Sequence, residues 1–245
     1  PDLTHCFSSG NKGLEGYKSI TGNFKQSKNS IAFGCVDQNE VILSFSSKGP
    51  AYDGRIKPEL VAYSSQGTSN STALATGIIT LMKQQYKTIH NTALSNALTK
   101  AILINSAKDL GNPGPDFTYG YGNINAYKCL KTISENRFIT DKLASGQTNS
   151  HTITVPANAK NLKITLVWND LPAAINSNIS LVNDLDLEVI SADPTTFLPW
   201  VLNPENPQQP ATKGKDKLNT IEQVSIENPT SGSYTIAVNG VYVSN

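Results

Sequence analysis

Gln66-Gly67-Thr68-Ser69-Asn70-Ser71-Thr72-Ala73-Leu74-Ala75-Thr76-Gly77 runs without a break into Ile78-Ile79-Thr80-Leu81-Met82. A flexible Gly-Thr pair feeds a serine at the first turn of a helix made of small residues. A hydroxyl there sits where unpaired backbone N–H groups and the positive end of the helix dipole favour developing negative charge. Two roles fit. Thr68 or Ser69 caps the helix, the commonest job of Ser/Thr ahead of an apolar periodic run, or Ser69 is a nucleophile. Taken alone the stretch favours the cap, so the decision rests on the segments around it.

Upstream, the chain reads as short strands and loops. Leu3–Ser9 is a strand ending in the tight turn Gly10-Asn11-Lys12-Gly13, Ser30–Val36 a second apolar strand, Val41–Phe45 a third and Lys57–Ala62 a short fourth. Downstream the period changes. Ala73, Ile78, Leu81 and Met82 predict a helix to about Tyr86, apolar nearly all round and therefore buried. Leu94, Leu98 and Ile102 mark a second helix to about Ala107, and Tyr119-Gly120-Tyr121-Gly122 leads into a short helix over Asn123–Leu130.

From about Asp141 the pattern alternates with period two. His151–Val155, Leu162–Trp168, Leu185–Ile190, Gln223–Ile226 and Ser233–Val238 predict an antiparallel sandwich or jelly roll, with the boundary at Ala144–Gln147. The expected fold is thus α/β with a parallel sheet over residues 1–143, followed by an all-β antiparallel domain over 147–245.

Composition sets the outer limits. The 245 residues are 38% hydrophobic and 16% charged, with 20 Lys+Arg against 19 Asp+Glu, as in a globular protein. No basic cluster follows a phosphate backbone, so nucleic acid is not an expected partner. No run approaches the roughly 18 apolar residues of a membrane span, and the start at Pro1-Asp2-Leu3-Thr4 has no leader pattern. Cys6, Cys35 and Cys129 are odd in number and widely spaced, which argues against a disulfide framework or a zinc site. Abundant Asn, Ser and Thr with low charge hint at a secreted protein.

Several segments together resemble the subtilisin-like serine proteases, in the second half of their catalytic domain. Ser8-Ser9-Gly10-Asn11-Lys12-Gly13 looks like the strand-end turn that carries the family's oxyanion-hole asparagine. Ser44–Pro50 followed by Asp53–Ala62 resembles the stretch ahead of the nucleophile loop. Gly67-Thr68-Ser69, with Gly77 eight residues on, resembles the nucleophile motif, and Tyr119–Asn125 the glycine turn before the closing helix. Order and spacing agree, and this reverses the preference for a cap.

The resemblance implies that Ser69 is the nucleophile, that the Asn11 amide and the Ser69 backbone N–H hold the oxyanion, and that Ser8, Ser9 and Gly10 border the primary specificity pocket. It implies a polypeptide substrate cleaved through an acyl-enzyme, with no cofactor needed for the chemistry. The family's catalytic Asp and His precede the asparagine, and only ten residues precede Asn11 here. Both are therefore expected outside this chain, in the other half of the catalytic domain, which becomes an implied partner. His5, His90 and His151 match no family position and read as surface or packing residues.

The sequence also departs from the pattern. Only Tyr63-Ser64-Ser65 separates Ala62 from Gln66, and Asn70-Ser71-Thr72-Ala73 stands where the family favours Met-Ala-x-Pro. A catalytically dead or truncated subtilase, its β-domain serving as a binding or folding module, is the alternative. The β-domain itself resembles the jelly roll that follows the catalytic domain in some bacterial subtilases, and such domains often bind calcium. Asp184 and Asp186, two apart on one strand face beside Asn183, are the candidate ligands, or equally a solvated face. Trp168 and Trp200 read as packing residues.

Overall fold

The structure, a computed structural model, describes residues 3–22 and 24–244. Pro1 and Asp2, where the start of the chain was read for a leader, lie outside the described residues, as do Asn23 and Asn245. Two compact units are present, one of Pro1–Thr140 with Leu202–Ala211, the other of Asp141–Val201 with Thr212–Asn245.

The first unit is built on a parallel sheet. Strands β1 (His5–Ser8), β2 (Ser30–Val36) and β3 (Leu60–Tyr63) lie in the order β1-β2-β3, with His5 beside Ser30 and Phe33 beside Leu60. Every residue of the central strand β2 is buried, which explains its unbroken apolar run: a parallel strand is covered on both faces. Helices α1 (Thr68–His90), α2 (Asn96–Ser106) and α3 (Ala126–Ser134) follow, α2 opening on Ser95, whose side chain accepts from the Leu98 N–H. Two short 3-10 turns, Gly13–Glu15 and Phe24–Gln26, lie on the way from β1 to β2.

Two sequence expectations need correction here. Val41–Phe45 forms no strand and touches β2 only through an isolated bridge between Val36 and Ile42. The Ser46 Oγ takes the β2 partner's place by accepting from the Cys35 N–H at 3.0 Å, while the Phe45 carbonyl is spent on the Gly13 N–H at 2.8 Å. Helix α1 runs to His90, ended by Asn91 in a left-handed conformation with its N–H on the Lys87 carbonyl. It is also not buried all round. Thr68, Ser71, Ala75, Ile79 and Met82 form the buried stripe, while Leu74, Leu81 and Ile89 are 45%, 52% and 46% exposed. Apolar content alone cannot tell a helix with neighbours on all sides from one with neighbours on one side.

Tyr119–Asn125 runs beside β3, the Tyr121 N–H on the Glu59 carbonyl and the Ile124 N–H on the Val61 carbonyl. Gly120 is required there. With φ +61°, a Cβ would meet the Pro58 and Glu59 carbonyl oxygens at 2.3 and 2.4 Å.

In the second unit, β4 (Thr148–Val155), β11 (Gly232–Tyr242), β6 (Asp184–Ser191) and β7 (Thr196–Phe197) form one antiparallel sheet in that order, and β5 (Asn161–Val167) pairs with β10 (Ile221–Glu227). Strands β8 (Trp200–Val201) and β9 (Thr212–Lys213) make a small ribbon. Val155, Leu187, Val189, Val224, Ile226, Tyr234 and Ile236, from both larger sheets, meet in one core. The Trp168 indole N–H donates to the Asn183 carbonyl and that of Trp200 to the Ser225 hydroxyl, so both tryptophans are packing residues with their polar edge satisfied.

Candidate active site

Strand β1 is prolonged by the Ser9 N–H on the Phe33 carbonyl at 2.9 Å, after which the chain turns at Gly10. The turn is held from two directions. On one side the Ser47 N–H donates to the Gly10 carbonyl at 2.9 Å, and the Ser47 Oγ accepts from the Lys12 N–H at 3.0 Å. On the other side stands Thr68, the first residue of α1. Its Oγ1 accepts from the Gly10 N–H at 3.2 Å and donates to the Asn11 Oδ1 at 2.9 Å, and the Thr68 backbone N–H donates to the same oxygen at 3.1 Å. The three segments quoted from the sequence, Ser8–Gly13, Ser44–Pro50 and Gly67–Ser69, therefore meet at the start of α1.

This network fixes what Asn11 can do. Its Oδ1 is committed to Thr68 twice, so the carboxamide must present its Nδ2 donors elsewhere. The Nδ2 lies 3.5 Å from where a Cβ on Gly67 would stand. Gly67, with φ +146°, is in a region that L side chains rarely adopt, and the amide covers its Cα face.

The approach to α1 is closed by Ser64. Its buried Oγ donates to the Gly67 carbonyl at 2.8 Å and accepts from the Gln66 and Gly67 N–H groups at 3.1 and 3.2 Å. The short Tyr63–Gln66 link is thus a complete turn. Below it the Ser71 Oγ donates to the Ala62 carbonyl at 2.9 Å, fastening the first turn of α1 to the end of β3.

Neither Thr68 nor Ser69 caps the helix. The N-cap is Gly67, which offers no side chain, and the Thr68 hydroxyl is used on the Gly10-Asn11 turn. Ser69 is exposed in the first turn of α1, and among the described residues its hydroxyl makes no hydrogen bond. No histidine is bonded to it. His5 is exposed on β1, His90 packs against Tyr86 and Phe138 at the far end of α1, and His151 lies 3.4 Å from Asp141 in the second unit. Ser8 is half-buried, Ser9 is buried with its Oγ unpartnered, and Gly10 is half-buried. The thiols are poor nucleophiles, since burial pushes Cys6, Cys35 and Cys129 up, Cys129 to about 11.

Sequence reading missed the groups that support this corner. Glu59 is buried on β2's flank with its Oε2 accepting from the Ala32 N–H at 2.7 Å. Its Oε1 meets the Lys57 Nζ at 2.5 Å and the Lys100 Nζ at 3.1 Å, all three side chains being buried. Lys57 also donates to the Ser27 carbonyl, and Lys100 to the Lys28 and Ser30 carbonyls. Burial alone would raise the Glu59 carboxyl, but the two ammonium groups outweigh it and hold it below the usual range. Burial brings Lys57 down to about 7, against partial rescue by Glu59. The available signal was the spacing Lys57-x-Glu59, which puts both side chains on one face of an extended segment.

The calcium candidates lie on β6. The Lys215 Nζ is 2.8 Å from the Asp186 Oδ2 and 3.4 Å from the Glu188 Oε1, while the Asp184 Oδ1 is buried without a partner. Among the described residues no group of three or more His, Cys, Asp and Glu converges as a metal would need. A lysine already serves Asp186, so a calcium ion at these two carboxylates would have to displace it.

A serine hydroxyl with no structural duty, at a helix N-terminus, with an amide donor fixed beside the preceding residue, is the equipment of acyl transfer by a serine hydrolase. Residues 2–122 match the model of the subtilase family, a family of serine protease hydrolases. The chain is 26% identical to the serine protease/ABC transporter B family protein tagA of Dictyostelium discoideum, over 81% of its own length and 14% of that protein, and 26% identical to tagB of the same organism over 82% and 15%. It thus spans about a seventh of these relatives. Among solved structures it is similar to a lanthipeptide protease (23% identity, TM-score 0.44, 54% of this chain and 51% of that one) and to the self-cleaved protease domain of PatA (16%, 0.45, 55% and 51%). No helix among the described residues is long and apolar enough to cross a membrane.

Proposed function

We propose that this chain is the C-terminal portion of a secreted subtilisin-like serine endopeptidase, with Ser69 as nucleophile. The observation that carries the reading is the Asn11–Thr68 pair, which commits the amide oxygen and leaves the Nδ2 to donate elsewhere at the start of the helix that carries Ser69. Ser69 Oγ attacks the scissile carbonyl, the Asn11 Nδ2–H and the Ser69 N–H receive the oxyanion, the amine leaves, and water releases the acyl group. One such amide donor is worth on the order of 3 kcal/mol of transition-state stabilisation, a magnitude measured in subtilisin itself. Ser8, Ser9 and Gly10 border the pocket for the residue on the acyl side of the cut bond.

The base and its orienting carboxylate come from the other half of the catalytic domain, outside these 245 residues. The exposed Leu74, Leu81 and Ile89 of α1 and the unpaired edge of β1 support this, being the surfaces such a half would cover. The second unit is proposed as a jelly roll, supported by the core shared between its two sheets, with Asp184 and Asp186 as ligands of a calcium ion that would displace Lys215. Extracellular location is supported only by the Asn/Ser/Thr-rich, weakly charged composition. A catalytically dead subtilase is the second reading, favoured by the absence of any base bonded to Ser69 among the described residues.

Labelling by a fluorophosphonate decides between them. In the complete parent protein Ser69 is expected to take the label and Ser69→Ala to abolish both labelling and peptide cleavage, while the 245-residue chain alone stays silent. A parent protein that is unlabelled at Ser69 would falsify the enzyme reading.

A further inference from the structure

Beside the Gly10-Asn11 turn stands the ammonium group of Lys25. The Lys25 Nζ lies 3.1 Å from where a Cβ on Gly10 would be, and among the described residues Lys25 makes no hydrogen bond or ion pair. It is not a loose surface lysine. The 3-10 turn that carries it is pinned by its neighbour Gln26, which is buried. The Gln26 Nε2 donates to the Ile20 carbonyl at 2.8 Å, its Oε1 accepts from the Tyr52 N–H at 2.8 Å, and its carbonyl accepts from the Arg55 guanidinium at 2.5 Å. Phe24, on the other side, stacks on Phe7 of β1 with ring centroids 6.2 Å apart. Lys12, next to Asn11, adds a second positive charge, and the acid paired with it, Glu15 at 3.6 Å, is as exposed as Lys12 itself. Exposed pairs of that kind neutralise little.

We propose that Lys25, assisted by Lys12, makes the specificity pocket select an acidic residue on the acyl side of the scissile bond, so that the substrates are polypeptides cleaved after Glu or Asp. The inference rests on the proposed protease activity and on Gly10 bordering that pocket. At Gly10 the space a Cβ would fill is flanked by the Ser47 Oγ and the Lys25 Nζ, 2.9 and 3.1 Å from that point, so hydroxyl and ammonium together form the wall that an incoming side chain would meet. A carboxylate arriving there gains a charge-assisted hydrogen bond to a donor that has no other acceptor among the described residues. A lysine or arginine meets a like charge, and discrimination comes as much from that repulsion as from the attraction. Lys25 is half-buried, so the interaction is screened less than one between fully exposed charges.

The test uses the complete parent protein and internally quenched peptides that differ only at the residue before the cut: Glu, Gln, Leu or Lys. Cleavage after Glu is expected to exceed cleavage after Gln by about tenfold in kcat/KM, and cleavage after Lys by about a hundredfold, with both ratios shrinking as salt is raised. Lys25→Arg keeps the order, and Lys25→Glu reverses Glu and Lys. A preference for Leu, with a Glu/Lys ratio that Lys25→Glu leaves unchanged, overturns the inference. In that case the lysine stem serves as an apolar wall. Fluorophosphonate labelling of the same preparation separates the two levels: a labelled enzyme with apolar preference sinks only the specificity, whereas an unlabelled one sinks the protease reading and this inference with it.

Discussion

In the first unit the buried carboxylate of Glu59 has two lysines within bonding distance, whereas in the second the equally buried Glu222 has none. The Glu222 Oε2 accepts from the Leu187 N–H at 2.6 Å, and its Oε1 is buried without a partner. Burial, with Asp216 and Asp186 adding repulsion, pushes its carboxyl up to about 9, so at neutral pH it is an acid holding its proton. The contrast teaches how the same residue type can be buried by two means: as an anion between cations, which fastens several backbone segments at once, or as a neutral group, which needs little from its surroundings but is lost once the solution is alkaline.

The largest effect is expected from breaking the first arrangement. Glu59→Gln leaves the two buried lysine amines without their counter-ion and should cost about 3–5 kcal/mol. Hydrogen exchange along β2, where the Ala32 N–H loses its carboxylate acceptor, reads it out; unchanged protection there would sink the claim. The intact triad also has a direction in pH. Lys57 titrates near 7 when folded and near 10.5 when unfolded, so over that interval the unfolded chain binds more protons and the first unit gains stability as pH rises.

The second unit should slope the other way. Glu222 keeps its proton to about pH 9 when folded and loses it near 4.5 when unfolded, so its stabilisation is complete below pH 4.5 and is lost as pH rises through 9. Glu222→Gln should flatten that fall and leave the variant about 2–4 kcal/mol ahead of the parent at pH 9. Both tryptophans, Trp168 and Trp200, lie in the second unit, so fluorescence-monitored denaturation isolates it. Parallel curves for the two proteins between pH 5 and 9 would refute the assignment.

The smallest effect concerns calcium. If it displaces Lys215 from Asp186, calcium at ten times its dissociation constant adds about 1.4 kcal/mol and raises the thermal midpoint seen by fluorescence by several degrees. Asp184→Asn should remove the rise. A midpoint indifferent to calcium in the parent protein withdraws the proposal.

Much of this was legible in the residues. Strand β2 was read with its ends correct, because an unbroken apolar run between polar stretches has few other ways to fold. The order of the motifs picks out Asn11 and the Gly67-Thr68-Ser69 stretch, and the structure joins Asn11 to Thr68 by two hydrogen bonds. What failed has physical causes. The third strand was lost because the Ser46 hydroxyl competes for the Cys35 amide, a side-chain choice that β-propensity cannot register. Helix α1 was read as buried because the sequence reveals which residues are apolar but not how many neighbours surround them. The Thr68 hydroxyl reaches across 57 residues of sequence to Asn11, a contact no local pattern encodes. Lys25 carried no signal, since a lone lysine in a polar stretch is ordinarily a solvated one.

The Ser64 turn also bears on how such a protein can change over time. Its hydroxyl satisfies three backbone groups within four residues and borrows nothing from outside that span. The length of the link before Ser69 is therefore quantised: one residue more or fewer undoes all three bonds together, and a longer link has to be rebuilt as a different loop. Descent between short and long versions should proceed by a jump, and intermediates with a single insertion between Ser64 and Gly67 should be rare among working relatives.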